Sequence, residues 1–186
     1  GGYHFRGRPE LVRILADAGI DVAVLANNHA FDYGPDALMD GIRILNAAGI
    51  DAVGAGENLD RAMAPVFRRI GDTAVAVIAM HTTHGTIGAT KDRAGNHFLS
   101  LSNTKALVSR VKAQVDLARK RADVVLLAIH WGVNGVLAPT DEMRKAAREL
   151  IRKAGVDAIL GSHGHVLHGV EIIDGRPVIY DAGNLL

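Results

Sequence analysis

The chain has 186 residues, enough for one domain with a sizeable core and no need of disulfide staples. Its 21 Lys plus Arg balance 20 Asp plus Glu, which leaves no excess positive charge to attract nucleic acid or an anionic membrane surface. Cysteine is absent, excluding disulfides and thiolate metal sites. Hydrophobic residues make up 48% and aromatics only 4%, so the core has to be built from Ala, Val, Ile and Leu. In chain order, Pro9 suits the first turn of a helix over "LVRILADAG", and Gly19 its left-handed end. A strand follows at 21–26. A second helix opens at Pro35 and ends at Gly49, and "GIDAVGAGEN" carries the next short strand. Gly71-Asp72 signals a hairpin leading into a strand at 73–80, and "GTIGATKDRAGN" reads as a long loop. A helix then runs from about Asn103 to Arg121, a strand from 123 to 129, and a helix capped by Thr140 that ends at Gly155. A strand at 157–160 and a hairpin about Asp174-Gly175 complete the order.

Three of these stretches repeat one plan: amphipathic helix, Gly, Asp, short apolar strand. Nearly all-apolar strands of this kind are buried on both faces and covered by helices. Helices alternating with buried strands, plus hairpins, predict an α/β domain with a mixed sheet or two sheets. The spacing is too irregular for a solenoid. No apolar stretch reaches the roughly 20 residues of a membrane helix, and no signal peptide is visible. The chain opens on Gly1 instead of Met and stops after a strand-like run, so it reads as one domain, 1–186, cut from a longer protein at both ends.

The polar residues fall where the strands end. Strand 21–26 runs into Asn27-Asn28-His29, strand 73–80 into His81 and His84, strand 123–129 into His130-Trp131-Gly132, and strand 157–160 into "GSHGHVLHG" with His163, His165 and His168. Seven of the nine histidines lie in these four exits. Ligands of open α/β sheets bind beyond the carboxyl ends of the strands, and neutral imidazole is the commonest side-chain metal ligand. On extended backbone His163 and His165, two apart, project to one side. Asn28 adds an amide oxygen, and such a sulfur-free N/O set suits Mn, Fe, Zn or Co. Each segment also has a plainer reading: an Asx turn at Asn27-Asn28, a core histidine at His130, a Gly-rich surface loop at "GSHGH". His4 and His97 receive no functional assignment.

"LANNHAFDYG", "HWGVN", "GSHGHVLHGVE" and "GRPVIYDAGNLL" occur in that order. Together they resemble the bacterial capsule-synthesis proteins (CapA type, poly-γ-glutamate), a branch of the calcineurin-like metallophosphoesterase superfamily. The resemblance implies a four-layer α/β/β/α sandwich, lacking here its N-terminal strand, with a two-metal centre on the rim. It assigns Asn28, His130 and His163 to one divalent cation and His165 to a second, the pair dinuclear in the full-length protein and of Mn, Fe or Zn. His29 takes the place of the histidine that contacts the substrate phosphate and protonates the leaving group. Asp32 either orients His29 or caps its loop. The family's upstream acidic ligands have no counterpart in the sequence, Asn134 stands where Glu is frequent, and Asp181 stands where Ser is frequent. Asp181 either adds a carboxylate near the site or caps a turn.

Two functions follow from the resemblance. One is a metal-dependent phosphoesterase-like hydrolase acting on a phosphoester. The other is a non-enzymatic component that binds or exports an anionic polymer, within a membrane-bound capsule-synthesis complex of the cell envelope, outside the cytoplasm.

Overall fold

The computed structural model describes residues 3–83 and 85–184, so His84 lies outside the described residues. After a 3-10 turn at Pro9–Leu11, the chain forms α1 (Val12–Asp17), β1 (Val22–Val24), α2 (Gly34–Ala47), β2 (Asp51–Val53), β3 (Ala55–Gly56), α3 (Leu59–Met63), β4 (Val66–Ile70) and β5 (Thr73–His81). It continues through β6 (Gly95–Asn96), α4 (Thr104–Ala118), β7 (Val124–His130), α5 (Asp141–Glu149), a π-helical turn at Leu150–Ala154, β8 (Ala158–Ser162), β9 (Val170–Ile173) and β10 (Arg176–Ile179). The signals that set these limits act as read. Gly19, Gly49 and Gly155 have φ of 73°, 80° and 81°, and the Thr140 hydroxyl accepts the Met143 N–H at 3.2 Å.

Among the described residues six strands form one mixed sheet in the order β4-β5-β7-β8-β10-β9. The four inner strands run parallel, with β4 and β9 antiparallel at the edges. The two faces of β5 and β7 meet different layers. Ala76, Ile78 and Met80, with Val125, Leu127 and Ile129, pack against Leu107, Val111 and Val115 of α4 and Met143, Ala146 and Ala147 of α5. Ala79 and Ala128, on the opposite face, pack against Ala26 and Val53, flanked by Val22, Val66 and Val77. Val22, Ala26 and Val53 belong to or follow β1 and β2, which pair parallel as a small second sheet. With α2 against β2, the result is the expected α/β/β/α layering.

Register aligns the ends of the main sheet. His81 of β5 stands opposite His130 of β7, and His130 opposite Ser162 of β8. Two expectations change in detail. The first strand is confined to Val22–Val24, because Asn27 N–H turns back to Leu25 O (2.9 Å) and its side-chain amide to Val24 O (3.4 Å). The segment read as a loop, 85–96, contains a 3-10 turn at Gly85–Ile87 and then β6, which pairs with β3. A Cβ at Gly95 would lie 2.5 Å from Ile87 O, so glycine is what lets this segment fold so closely on itself.

Candidate metal and catalytic site

The opening of the site is the loop after β1. Its Asx turn is made by Asn27, whose Oδ1 accepts the His29 N–H at 2.8 Å. That leaves the amide of the next residue for another partner. The Nε2–H of His130 donates to Asn28 Oδ1 at 2.8 Å, across 102 residues of sequence. His130 Nδ1 accepts from the Ser162 hydroxyl at 3.1 Å, the side chain beside it in the sheet register. The turn and the inter-loop contact therefore coexist, because adjacent asparagines divide the work.

A buried support lies beneath this loop. The Asn96 side-chain amide donates to Asn27 O at 2.7 Å, and its Oδ1 accepts the Nε2–H of His81 at 2.8 Å. Asn96 is 1% exposed and His81 fully buried, so the two side chains of this relay are committed away from water. His81, a candidate ligand by sequence, serves here to hold Asn96.

His163 follows β8, with its ring centroid 4.5 Å from that of His130, and the rings of His163 and His165 are 6.4 Å apart. The backbone between them is not extended. His163 has φ 111° and His165 φ 56°, so the two rings are brought to one rim by a strained turn about Gly164. β8 enters this turn against its neighbours, since a Cβ at Gly161 would lie 2.0 Å from Tyr180 O and 2.6 Å from Trp131 Nε1. His165 is exposed and donates from Nδ1–H to Asn184 Oδ1 at 2.7 Å, which leaves its Nε2 lone pair as the free ligand atom. His168 turns the other way, its Nε2–H donating to Val136 O at 2.8 Å.

His29 donates from Nδ1–H to Asp32 Oδ2 at 2.9 Å, and the same oxygen accepts the Phe5 N–H at 2.9 Å. Both sequence readings of Asp32 hold at once, since it orients the imidazole and ties down the loop. Burial pushes its carboxyl up, but the Phe5 N–H and the His29 imidazole outweigh this and hold it below the ordinary value. The Phe5 ring meets His29 edge-on at 4.6 Å. The pair stands at the edge of a cleft of about 880 Å³ between α1 and α2, which His130, His163 and His165 do not line.

His130 is pushed down to about 3, first by burial and then by the imidazoles of His163, His81, His165 and His29. It is therefore neutral at any physiological pH, the form that ligates a cation. Among the described residues no three His, Cys, Asp or Glu side chains are grouped to hold a metal ion. The candidate set is instead two imidazoles and the Asn28 amide oxygen, a donor chemistry that fits a borderline divalent cation. Sequence reasoning missed Asn96, Ser162 and Asn184. None carries a local signal, because each acts on a candidate ligand or its loop brought to it by the fold.

A profile of the bacterial capsule synthesis protein family PGA_cap matches residues 1–186. The PGA biosynthesis protein CapA of Bacillus subtilis (strain 168) is 31% identical over 188 residues, covering 98% of this chain and 47% of that protein. The capsule biosynthesis protein CapA of Bacillus anthracis is 31% identical over 185 residues, covering 98% and 44%. The chain thus spans about half the length of the curated relatives it matches. A 5'-nucleotidase precursor from Thermus thermophilus superposes with TM-score 0.56 at 20% identity, over 91% of this chain and 35% of that one, a likeness of fold. Among the described residues no helix is long and apolar enough to cross a membrane.

Proposed function

The chain belongs to the bacterial capsule synthesis protein family PGA_cap, and we propose that it carries a metal-dependent phosphoesterase-like hydrolase site. The observation that carries this reading is the convergence of Asn28, His130 and His163 from three strand exits, with Asn28 Oδ1 and His130 Nε2 2.8 Å apart. These three would hold a divalent cation (Mn, Fe or Zn), and His165, its ring 6.4 Å from that of His163, would serve a second. To ligate through Nε2, His130 would be in the tautomer with its proton on Nδ1, and the Ser162 hydroxyl at 3.1 Å would then be the acceptor of the Nδ1–H hydrogen bond. A divalent cation bound there supplies Lewis-acid charge to a phosphoryl oxygen and lowers the pKa of a water.

The chain's own acid is His29. Asp32 holds Nδ1–H and stabilises the imidazolium, which leaves Nε2–H to be given to the departing alkoxide oxygen. His130 is unsuited to that task, because held near 3 it is neutral at neutral pH and lacks the acidic second proton of an imidazolium. Phe5 fixes the Asp32 carboxylate from the other side and covers one edge of the ring.

A second reading is kept because only two imidazoles and an amide converge, with no carboxylate in the set. In it the same rim binds a carboxylate-rich chain such as poly-γ-glutamate, as part of a membrane-bound capsule-synthesis assembly at the cell envelope, and turns nothing over. Manganese titration by calorimetry and hydrolysis of an aryl phosphate with added manganese separate the two. The hydrolase reading requires metal binding that falls sharply in His163→Ala, and turnover that falls with it. Metal binding unchanged in that variant removes His163 from the site. Poly-γ-glutamate binding without turnover selects the second reading.

A further inference from the structure

We propose that Asp181 is the positioning residue that holds His163 and His165 in ligating geometry. The proposal rests on the reading of those histidines as metal ligands. The two are the only side-chain-bearing residues with positive φ near the site among the described residues, and a single glycine separates them. Strained backbone of this kind persists only where its surroundings over-determine it. Here one carboxylate supplies the buried side-chain constraint, on the N–H side of Gly164, while the Gly135 N–H donates to Gly164 O at 2.9 Å. Asp181 Oδ2 accepts the Gly164 N–H at 2.5 Å, and Oδ1 accepts the Gly183 N–H at 2.8 Å. The residue is 1% exposed, and a Cβ at Gly164 would come within 3.1 Å of Oδ2.

The first of these bonds falls on the backbone between the two imidazoles, and the second holds the segment that follows Asp181. The segment after β10 is tied to the histidine turn at further points. Ala182 N–H donates to Gly161 O, and His168 N–H to Asp181 O, each at 3.1 Å. Asn184 then receives the Nδ1–H of His165 at 2.7 Å. Asp181 is thus the buried end of a clamp whose exposed end orients a candidate ligand directly. Both its oxygens face backbone N–H groups, which makes it a support of the turn. The chemistry is selective: a carboxylate offers two acceptors, whereas an amide offers one acceptor and one donor. In Asp181→Asn one backbone N–H would face the N–H of the new side chain.

The test uses the full chain with Asp181→Asn and Asp181→Ser, each measured well below its melting temperature. In the wild type the Gly164 amide proton should be shifted downfield and exchange slowly, and Asp181→Asn should lose both features while the melt stays cooperative. Manganese affinity, read by calorimetry, falls about ten- to hundredfold in Asp181→Asn, the usual worth of a group that orients a ligand. The visible spectrum of the cobalt-substituted protein changes in band position and intensity, which a general loss of stability at constant folded fraction does not produce. Asp181→Ser keeps one acceptor and falls between. Should Asp181→Asn fail to fold, Asp181→Ser alone decides by the same readouts. Wild-type affinity and cobalt spectrum in a folded variant overturn the proposal. A wild-type protein that binds no manganese overturns the metal reading instead, and the Gly164 amide still reports whether Asp181 holds the turn.

Discussion

The two loops that meet at His130 are held by opposite means. The loop at Asn27-Asn28-His29 has no residue with positive φ, and side chains carry its support, half-buried Asn27 on His29 N–H and buried Asn96 with His81 on Asn27 O. The loop at His163-Gly164-His165 is strained, and its backbone is pinned through Gly164 to the Asp181 carboxylate, whose other oxygen holds the Gly183 N–H. A loop propped by side chains is vulnerable to whatever empties or charges those side chains. A loop pinned through its backbone is vulnerable at the pin and tolerant at its exposed partners.

The largest effect separates chemistry from support within the first loop. His29→Ala should cost about two to four orders of magnitude in turnover, the usual worth of a positioned acid. Metal content should stay as it was, because Asn28 is held by Asn27, Asn96 and His130 and not by the His29 ring. Turnover of an aryl phosphate beside metal analysis of the same sample checks this. Loss of metal together with turnover would place His29 in the support.

Acid should weaken the first loop before the second. His97 runs beside His81, accepting its backbone N–H at 2.9 Å, and its own ring donates from Nδ1 to Ala79 O at 2.8 Å. Its Nε2 is buried with no hydrogen-bond partner among the described residues, so a second proton there has nowhere to be satisfied. Burial, with the Ala79 bond opposing and Arg110 assisting, holds His97 down at about 4 instead of the ordinary 6.5. Above pH 6.5 the ring is neutral folded or unfolded, and its contribution is complete. Below 6.5 the unfolded chain takes the proton first, and stability falls with pH until about 4, by on the order of 3 kcal/mol in all. Melting temperature against pH, compared between wild type and His97→Gln, should show a steeper fall below pH 6.5 in the wild type, because His130, also held down by burial, contributes equally to both curves. Parallel curves would assign the acid sensitivity elsewhere.

These contrasts also mark what the sequence makes legible. The strand exits were readable because apolar runs of Val, Ile and Leu break abruptly into Asn and His. The helix ends and hairpins were readable because Gly19, Gly49, Gly155 and Asp174-Gly175 need left-handed backbone that few residues tolerate. The supports were not. Ser162 acts only because β8 lies in register beside His130, and Asn96 because a glycine-rich segment read as a loop folds under β5 and pairs with β3. The histidine pair misled locally: a spacing of two suggests extended backbone, whereas the turn is held through Gly164 by Asp181 and Gly135, which no local pattern announces.

Asn96→Ala then tests the side-chain prop itself. It leaves the His81 Nε2–H and Asn27 O without their partner in a buried setting, at a cost of about 2 kcal/mol. Thermal melting should register that loss, and manganese affinity should fall with it as Asn28 loosens. A variant as stable as wild type would mean that water takes over both groups and that the relay is not a support.

The smallest effect belongs to the exposed end of the clamp. Asn184 and His165 are both exposed, and their bond at 2.7 Å competes with water on either side. Asn184→Ala should therefore change stability by about 0.5 kcal/mol or less. Its effect should appear only in the second metal equivalent. Without the amide oxygen at Nδ1, His165 exchanges tautomers and rotates, and Nε2 spends less time presented as a ligand. Calorimetric titration with manganese should show the first equivalent unchanged and the second weakened. A first equivalent weakened as much as in Asp181→Asn would mean that the two ends of the clamp are not independent, and that the exposed bond holds His163 as well as His165.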